Sequence, residues 1–296
     1  MTITKSPPIR FLRFAKNPTL SQRLMLIGLV ITLFFIFLAL CAPLLQAFGW
    51  LQNPLDSLSN PIQEPPSLQH WFGTSREGYD VFSRTLFGAQ AALQVVLLAT
   101  ALSMFIGVPL GMVSGYLGGR LDKALLFLMD SIYTLPGLLL SVTLAFMVGR
   151  GILNAALAIS IAYVPQYYRV VRNHTVSVKT EVFIEAAQAM GANTWQVLSR
   201  YLFFNVIQSV PVLFTLNAAD AILILGSLGF LGLGLPRETP EWGRDLQQAL
   251  QALPIGVWWT AFFPGLAMTI MVVGLSLLGE GLNEFINPRL RKDVRK

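Results

Sequence analysis

Six long apolar runs decide what this chain can fold into. They span residues 24–48, 93–116, 124–148, 152–171, 203–228 and 257–278. A helix rises about 1.5 Å per residue, so each run is long enough to cross the roughly 30 Å hydrocarbon core of a bilayer. Helices are required because an isolated strand would leave backbone groups unpaired in lipid. The sequence therefore predicts an all-α polytopic membrane protein with six transmembrane helices.

The low charge content fits this prediction. Only 12% of the residues are charged and 54% are hydrophobic, whereas soluble domains carry about 25% charged residues. The net charge of +6 would also suit nucleic acid, but an excess of Lys and Arg is typical of the cytoplasmic segments of membrane proteins. We therefore expect the lipid bilayer, and no nucleic acid, among the partners.

The distribution of Lys and Arg predicts the orientation. Of the 21 basic residues, 16 fall in the N-terminal tail, the second-to-third and fourth-to-fifth connections, and the C-terminal tail. The opposite side holds the other five, which are Arg76, Arg84, Arg150, Arg237 and Arg244. Because cytoplasmic segments carry the basic excess, both termini are expected in the cytoplasm.

The spans and this orientation divide the chain into five parts. These are a cytoplasmic tail at 1–23, a first transmembrane helix at 24–48, an extracytoplasmic loop at 49–92, a core of five transmembrane helices at 93–285 with a cytoplasmic loop at 172–202, and a basic cytoplasmic tail at 286–296. The long outer connections are interpreted either as aromatic belts or as ordered platforms for an outside partner. Trp258 and Trp259 are expected to belong to an aromatic belt.

Two carboxylates fall inside apolar spans, Asp130 in the third and Asp220 in the fifth. A charge at that depth costs at least ~2.5 kcal/mol unless it faces a cavity or a partner. Each is therefore interpreted either as part of a translocation pathway or as a contact that locks two helices. Nothing in the sequence supplies an intramembrane Lys or Arg to pair with either carboxylate.

Small residues recur every four positions in the second span, at Ser103, Gly107, Gly111 and Gly115. This spacing places them on one helical face, where small side chains allow a neighbouring backbone to approach closely. The pattern predicts a helix-packing face without indicating which helix it contacts.

Patterns typical of catalytic and metal sites are scarce. The two histidines, His70 and His174, are predicted on opposite sides of the membrane and cannot share a metal. No phosphate-binding loop or nucleophile motif is present. We expect no catalytic, cofactor-binding or metal-binding residue in this chain. The rival interpretations, an intramembrane enzyme and an ion-coupled secondary transporter, would both depend on Asp130 or Asp220.

The predicted cytoplasmic stretch 181–195 has the pattern of two helices joined by a sharp turn. The first helix ends near Met190, and Gly191 suits the left-handed position that closes a helix. Asn193 or Thr194 can cap the helix that follows. The stretch is interpreted either as a rigid element that docks on a cytoplasmic partner or as an ordinary surface hairpin.

This stretch resembles the EAA loop of ABC importer membrane subunits. The matching residues are Glu185, Ala186 and Ala187, with Met190 and Gly191 after them. Segments 72–84, 228–234 and 240–243 are similar to motifs of the dipeptide/oligopeptide permeases of the C-subunit type. Together the matches cover most of residues 70–290.

The resemblance implies a type I ABC importer permease architecture, in which this chain forms half of a translocation pore for peptides. The implied partners are a second homologous permease subunit, two ABC ATPase subunits that use ATP and Mg, and an extracytoplasmic solute-binding protein. The EAA-like residues would contact an ATPase subunit. The implied location is the bacterial plasma membrane. Nickel, glutathione and opines are alternative solutes within the family.

The chain departs from the family motifs at five positions. Ser75 and Tyr79 stand where the family has Asp and Arg, which is expected to alter the outer loop or the solute range. Phe204 stands at the position of a proline, so the local turn geometry is expected to differ. Leu225 replaces a frequent Glu and would make the path more apolar, and Gly229 replaces a Ser.

Overall fold

The computed structural model describes residues 20–57 and 59–286. Within this range the regular structure is helical, apart from one isolated bridge between Thr74 and Asp80. Most of the tail predicted at 1–23, and all but the first residue of the tail predicted at 286–296, lie outside the described residues.

Eleven α-helices follow one another along the described chain. They are α1 (Leu20–Ala47), α2 (Val81–Leu117), α3 (Gly119–Tyr133), α4 (Gly137–Val148), α5 (Ile152–Val178), α6 (Val182–Ala189), α7 (Thr194–Gln196), α8 (Phe203–Val206), α9 (Val210–Phe230), α10 (Trp242–Ala249) and α11 (Trp259–Ile286). A π-helical turn at Val197–Leu202 and a 3-10 turn at Ile207–Ser209 join α7, α8 and α9 into one helical run over 194–230.

Four helical runs of the described residues are long and apolar enough to cross a membrane: α1, α2, 194–230 and α11. The bent pair of α3 and α4 makes a fifth if it counts as one span. α5 has 27 residues but is not among them, because polar residues interrupt its apolar sequence. The prediction of an all-α polytopic membrane protein is confirmed, whereas the count of six spans exceeds the four or five that length and composition support.

The outer loop predicted at 49–92 is shorter than expected, because α2 begins at Val81. The cause is a helix cap. The Asp80 carboxylate accepts a hydrogen bond from the Ser83 backbone nitrogen at 2.8 Å, which satisfies a free donor of the first turn. The first turns of α2 precede its apolar run, so hydropathy does not reveal them.

The third predicted span, 124–148, is not one straight helix. α3 and α4 are bent by 88° at the break between them. Pro136 lies in this break, and proline both lacks a backbone donor and disfavours a helical conformation in the residue before it. Pro109 and Pro165, by contrast, lie inside α2 and α5 without ending them.

Two helix pairs form the most extensive contacts, α2 with α5 and α1 with α11. A Cβ atom on Gly28 would lie 2.5 Å from the Leu278 backbone nitrogen and 2.6 Å from the Gly274 carbonyl oxygen. α1 and α11 therefore meet backbone to backbone. α9 packs against α11, α2 and α10, and with α2 and α5 it supplies most of the main hydrophobic core.

The connections gather at the two ends of this bundle. Residues 48–57, 59–80 and 231–258 form one end together with the turn between α4 and α5, and we call this the cavity end. Residues 179–193 form the other end, which we call the α6 end. α5 continues to Val178 and the next helical run begins at Thr194, so the connection predicted at 172–202 is also shorter than expected.

Candidate functional site

The strip of small residues on α2 lies against α5. The Ser103 hydroxyl donates a hydrogen bond to a carbonyl oxygen of α5 at 3.1 Å. A Cβ atom on Gly111 would lie 2.6 Å from the Tyr168 carbonyl oxygen, and Gly107 and Gly115 approach α5 as closely. The strip therefore lies in a contact between two helices of this chain.

The segment at the α6 end has the predicted helix–turn–helix form. Gly191 has a φ of +87°, and its backbone nitrogen donates to the Gln188 carbonyl oxygen at 2.9 Å. Asn193, rather than Thr194, caps the next helix, and Asn193 and Gln196 exchange two hydrogen bonds of 2.9 Å between side chain and backbone. The prediction of a left-handed glycine between two helices is confirmed.

Most of the EAA-like residues lie on the exposed face of α6. Glu185 and Ala186 are exposed, and Met190 is 79% exposed. Ala187 is the exception, because it is only 1% exposed and lies, like Ile184, in the interior. Ala187 therefore anchors α6 on the bundle, and its role in coupling stays a prediction.

Sequence reasoning does not identify three further side chains at this end. Val182, Phe183 and Trp195 are apolar and exposed, and Trp195 is 73% exposed. Large apolar groups that cluster on a surface are typical of protein contacts. All three lie within four residues of the EAA-like segment 185–191 in sequence.

The helical run that leaves the α6 end changes its winding along its length. The π-helical turn comes first and the 3-10 turn follows, before α9 begins. Phe204 lies between them in α8, with an exposed side chain, so the chain stays helical at this departure from the family motif. π-helical turns occur frequently at functional sites, and this one joins the α6 end to α9.

Asp130 has a cationic partner, contrary to expectation. Its carboxylate accepts a hydrogen bond from Arg169 at 2.8 Å, and the Arg169 guanidinium lies 4.3 Å from the centre of the Tyr133 ring. Arg169 lies inside α5, which continues to Val178, so it is not part of a connection. The contact joins α3 to α5, so the geometry favours the helix-locking interpretation of Asp130.

Asp220 lies on α9, where its side chain is exposed in the single chain. Its carboxylate accepts a hydrogen bond of 2.8 Å from the Tyr163 hydroxyl of α5. No ion pair to Asp220 is found within residues 20–57 and 59–286. Leu225, on the same helix, is buried in the core and does not face an exposed path.

A cavity of about 700 Å³ opens at the cavity end. It is lined by all five arginines that the charge count places on the outer side: Arg76, Arg84, Arg150, Arg237 and Arg244. They come from three separate parts of the chain, 76–84, 150 and 237–244. The sequence predicts that they share one side of the membrane, but their convergence depends on the tertiary fold.

Two of these arginines are buried in the wall of the cavity. Arg84 donates two hydrogen bonds to one oxygen of Asp245, at 2.6 and 3.0 Å, and a third to the Pro54 carbonyl oxygen. Arg244 donates to the Pro236 carbonyl oxygen at 2.8 Å. These contacts tie α2 and α10 to the loops on either side.

The other three arginines have exposed side chains. Arg76 donates to the side-chain oxygen of Gln251, and Arg150 donates to the Gly232 carbonyl oxygen at 2.8 Å. Arg237 makes no side-chain hydrogen bond or ion pair within the part of the chain that the structure describes. Three departures from the family motifs, Ser75, Tyr79 and Gly229, also line this cavity.

A buried carboxylate, Glu241, lies behind the cavity wall. One of its oxygens accepts a hydrogen bond from the Leu235 backbone nitrogen at 3.0 Å, while the other has no partner among the described residues. A Cβ atom on Gly229 would overlap this carboxylate, so a glycine is required there for the close approach. Burial raises the pKa of Glu241 to about 7.

The two adjacent tryptophans of the cavity end, Trp258 and Trp259, differ in exposure. Trp259 is only 7% exposed, and its indole nitrogen donates to the Thr74 carbonyl oxygen at 3.0 Å. The aromatic-belt prediction is therefore wrong for Trp259. Trp258 is 51% exposed and is still free to face an interface. No group of three or more His, Cys, Asp or Glu residues that could hold a metal occurs in the described ranges.

Comparison with known proteins gives consistent matches. The family model described as binding-protein-dependent transport system inner membrane component matches residues 107–292. The dipeptide transport system permease protein DppC of Alkalihalophilus pseudofirmus is 35% identical, over 91% of this chain and 87% of that protein. The glutathione transport system permease protein GsiD of Pectobacterium atrosepticum is 35% identical over 78% and 76%. The probable D,D-dipeptide transport system permease protein DdpC of Escherichia coli is 36% identical over 76% and 75%.

Proposed function

Because the chain belongs to the family of binding-protein-dependent transport system inner membrane components, we propose that it is the membrane-spanning permease subunit of an ATP-driven importer of peptides. The similarity to permeases named for dipeptide and glutathione transport supports the peptide class. In this role the chain forms half of a pore with a second, homologous permease subunit. Two ABC ATPase subunits would hydrolyse ATP, and a solute-binding protein would deliver the peptide. The chain itself is proposed to catalyse no reaction.

The observation that carries this proposal is the exposed face of α6. Glu185 and Ala186 lie on a short helix that buries Ile184 and Ala187 against the bundle, and Met190 directly follows this helix. The helix is therefore held firmly, while its outer side is free for a partner. A force applied there reaches α9 through the helical run 194–230, which allows an ATPase to bias the pore between two states.

This function also fixes the proposed orientation in the bacterial plasma membrane. The ATPase subunits are cytoplasmic, so the α6 end and both termini are placed in the cytoplasm. The cavity end is then extracytoplasmic, where the solute-binding protein arrives. The 16 basic residues that the sequence predicts on the cytoplasmic side support this assignment.

Co-purification tests the contact. A tagged chain, expressed with the ATPase subunits of its own transport system, should retain them through detergent extraction. Met190→Glu places a charge in the proposed apolar contact and should release them. Leu68→Glu is the matched control, since Leu68 is 95% exposed at the cavity end, and it should retain them. Equal retention by both variants would refute the α6 contact.

A further inference from the structure

The five arginines of the cavity end are an unusual set for their side of a membrane protein. Lys and Arg are disfavoured in connections outside the cytoplasm, yet all five basic residues of that side line one cavity. Every one of them is Arg, whereas six of the 16 basic residues on the other side are Lys. Arg differs from Lys in its planar fork of donors, which matches a carboxylate with two parallel hydrogen bonds.

The charges of the cavity do not cancel. Two carboxylates line it, Glu77 and Asp245, and Asp245 is paired with Arg84 in the buried wall. The remaining arginines bond to neutral oxygens or, in the case of Arg237, to no side chain or backbone group among the described residues. Glu77 is thus the one lining carboxylate left to offset four guanidinium groups. A concave site lined mainly by one sign of charge concentrates its field and attracts the opposite charge.

The shape of the cavity indicates a small ligand. Its volume of about 700 Å³ lies within the range of roughly 300–1,000 Å³ that is usual for small-molecule sites. The buried pair of Arg84 and Asp245 holds the wall in place. Arg150 and Arg237 have exposed side chains, and within the described residues only Arg150 of these two is bonded, to the Gly232 carbonyl oxygen. A buried, fixed wall next to exposed arginine side chains suits a solute that enters and leaves.

We propose that this cavity binds the carboxylate group of the transported solute, with Arg237 and Arg150 as its main contacts. The inference rests on the proposed function for the solute class, because an unmodified linear peptide carries a carboxylate at its C-terminus. The permease would then select solutes itself, at the entrance to the pore, in addition to any selection by a separate binding protein.

Calorimetric titration of the full-length chain in lipid nanodiscs tests the proposal. The first probe is dialanine, and the second is dialanine amide, which has the same size without the carboxylate. Dialanine should bind, the amide should bind at least about tenfold more weakly, and added NaCl should weaken the binding of dialanine. Absence of dialanine binding, or equal affinity for the acid and the amide, would overturn the proposal.

Two further probes identify the source of the anion. Alanyl-glutamate amide carries a carboxylate only on its side chain. If it binds like dialanine, the site accepts any carboxylate of the solute. If it does not bind, the site recognises the C-terminal carboxylate, and both results support the proposal. Inorganic phosphate that binds as tightly as dialanine would overturn the assignment to a carboxylate.

Variants test the named contacts. Arg237→Gln and Arg150→Gln change exposed side chains and should each weaken dialanine binding about tenfold. Arg120→Gln, an exposed arginine in the first turn of α3 near the other end, should leave it unchanged. Wild-type affinity in both cavity variants would refute the assignment. The assay needs no ATPase, so its failure is distinct from failure of the proposed function, which would appear as absent ATP-dependent peptide uptake by the complete importer.

Discussion

The two ends of the bundle are built in different ways. At the cavity end, hydrogen bonds join residues that are far apart in sequence, such as Arg84 to Asp245 and the Trp259 indole to Thr74. At the α6 end, the turn depends mainly on local contacts, such as those between Asn193 and Gln196. The cavity end is assembled from residues that are distant in sequence, whereas the α6 end is a compact motif within about fifteen residues of sequence.

This difference matches the two roles that the function requires. A site that selects solutes needs side chains held in fixed relative positions by a rigid surround. An element that transmits movement needs a firm anchor and an open face, which Ala187 and Glu185 provide on the same short helix. Breaking the long-range hydrogen bonds of the cavity end should therefore lower the stability of the chain. Changes at the α6 end should instead uncouple ATP hydrolysis from transport.

The largest expected effect on stability is at the Arg84–Asp245 pair. Asp245→Ala would leave a buried guanidinium without its counter-charge and should lower the free energy of unfolding by about 3–5 kcal/mol. Thermal unfolding of the purified chain in detergent measures this loss. Gln188→Ala removes an exposed hydrogen bond to Tyr116 at the α6 end and should cost less than about 1 kcal/mol. Equal losses would contradict the contrast between the ends.

A smaller effect concerns the buried carboxylate of the cavity end. Burial raises the pKa of Glu241 from 4.5 to about 7, partly offset by the Leu235 backbone hydrogen bond and by Arg244. The folded chain therefore holds a proton that the unfolded chain releases between these values, so stability should fall as the pH rises from about 4.5 to about 7. The total loss is of the order of 3 kcal/mol.

Glu241→Gln should remove this pH dependence and stabilise the chain above pH 7, because the amide cannot ionise. Unfolding midpoints measured across this pH interval would show the slope in the wild type and its absence in the variant. Glu238→Gln, an exposed change nearby, should keep the slope. A wild-type slope in Glu241→Gln would show that another group titrates.

The same contrast explains what the sequence could predict. The α6 end was predictable because a capping residue, a left-handed glycine and an apolar face lie next to each other in the chain. The arginine cavity was not, since charge counting assigns a side of the membrane but not a position on it. Asp130 shows a related limit: Arg169 lies 39 residues further along the chain, so it could be recognised as the partner only from the packing of α3 against α5. Pro136 gave a local signal for a bend, but the 88° angle depends on the packing around it.

A matched pair of glycines tests the division of roles most directly. Gly191 and Gly256 both have a φ of +87° and open space around the Cβ position, at the α6 end and the cavity end respectively. Valine at either position imposes a similar backbone strain, of the order of 1–2 kcal/mol. The measurement is ATP hydrolysis and dipeptide uptake by the complete importer in proteoliposomes. We predict that Gly191→Val still hydrolyses ATP but loses most of its uptake, while Gly256→Val keeps both. Uptake at the wild-type rate by Gly191→Val would contradict the account.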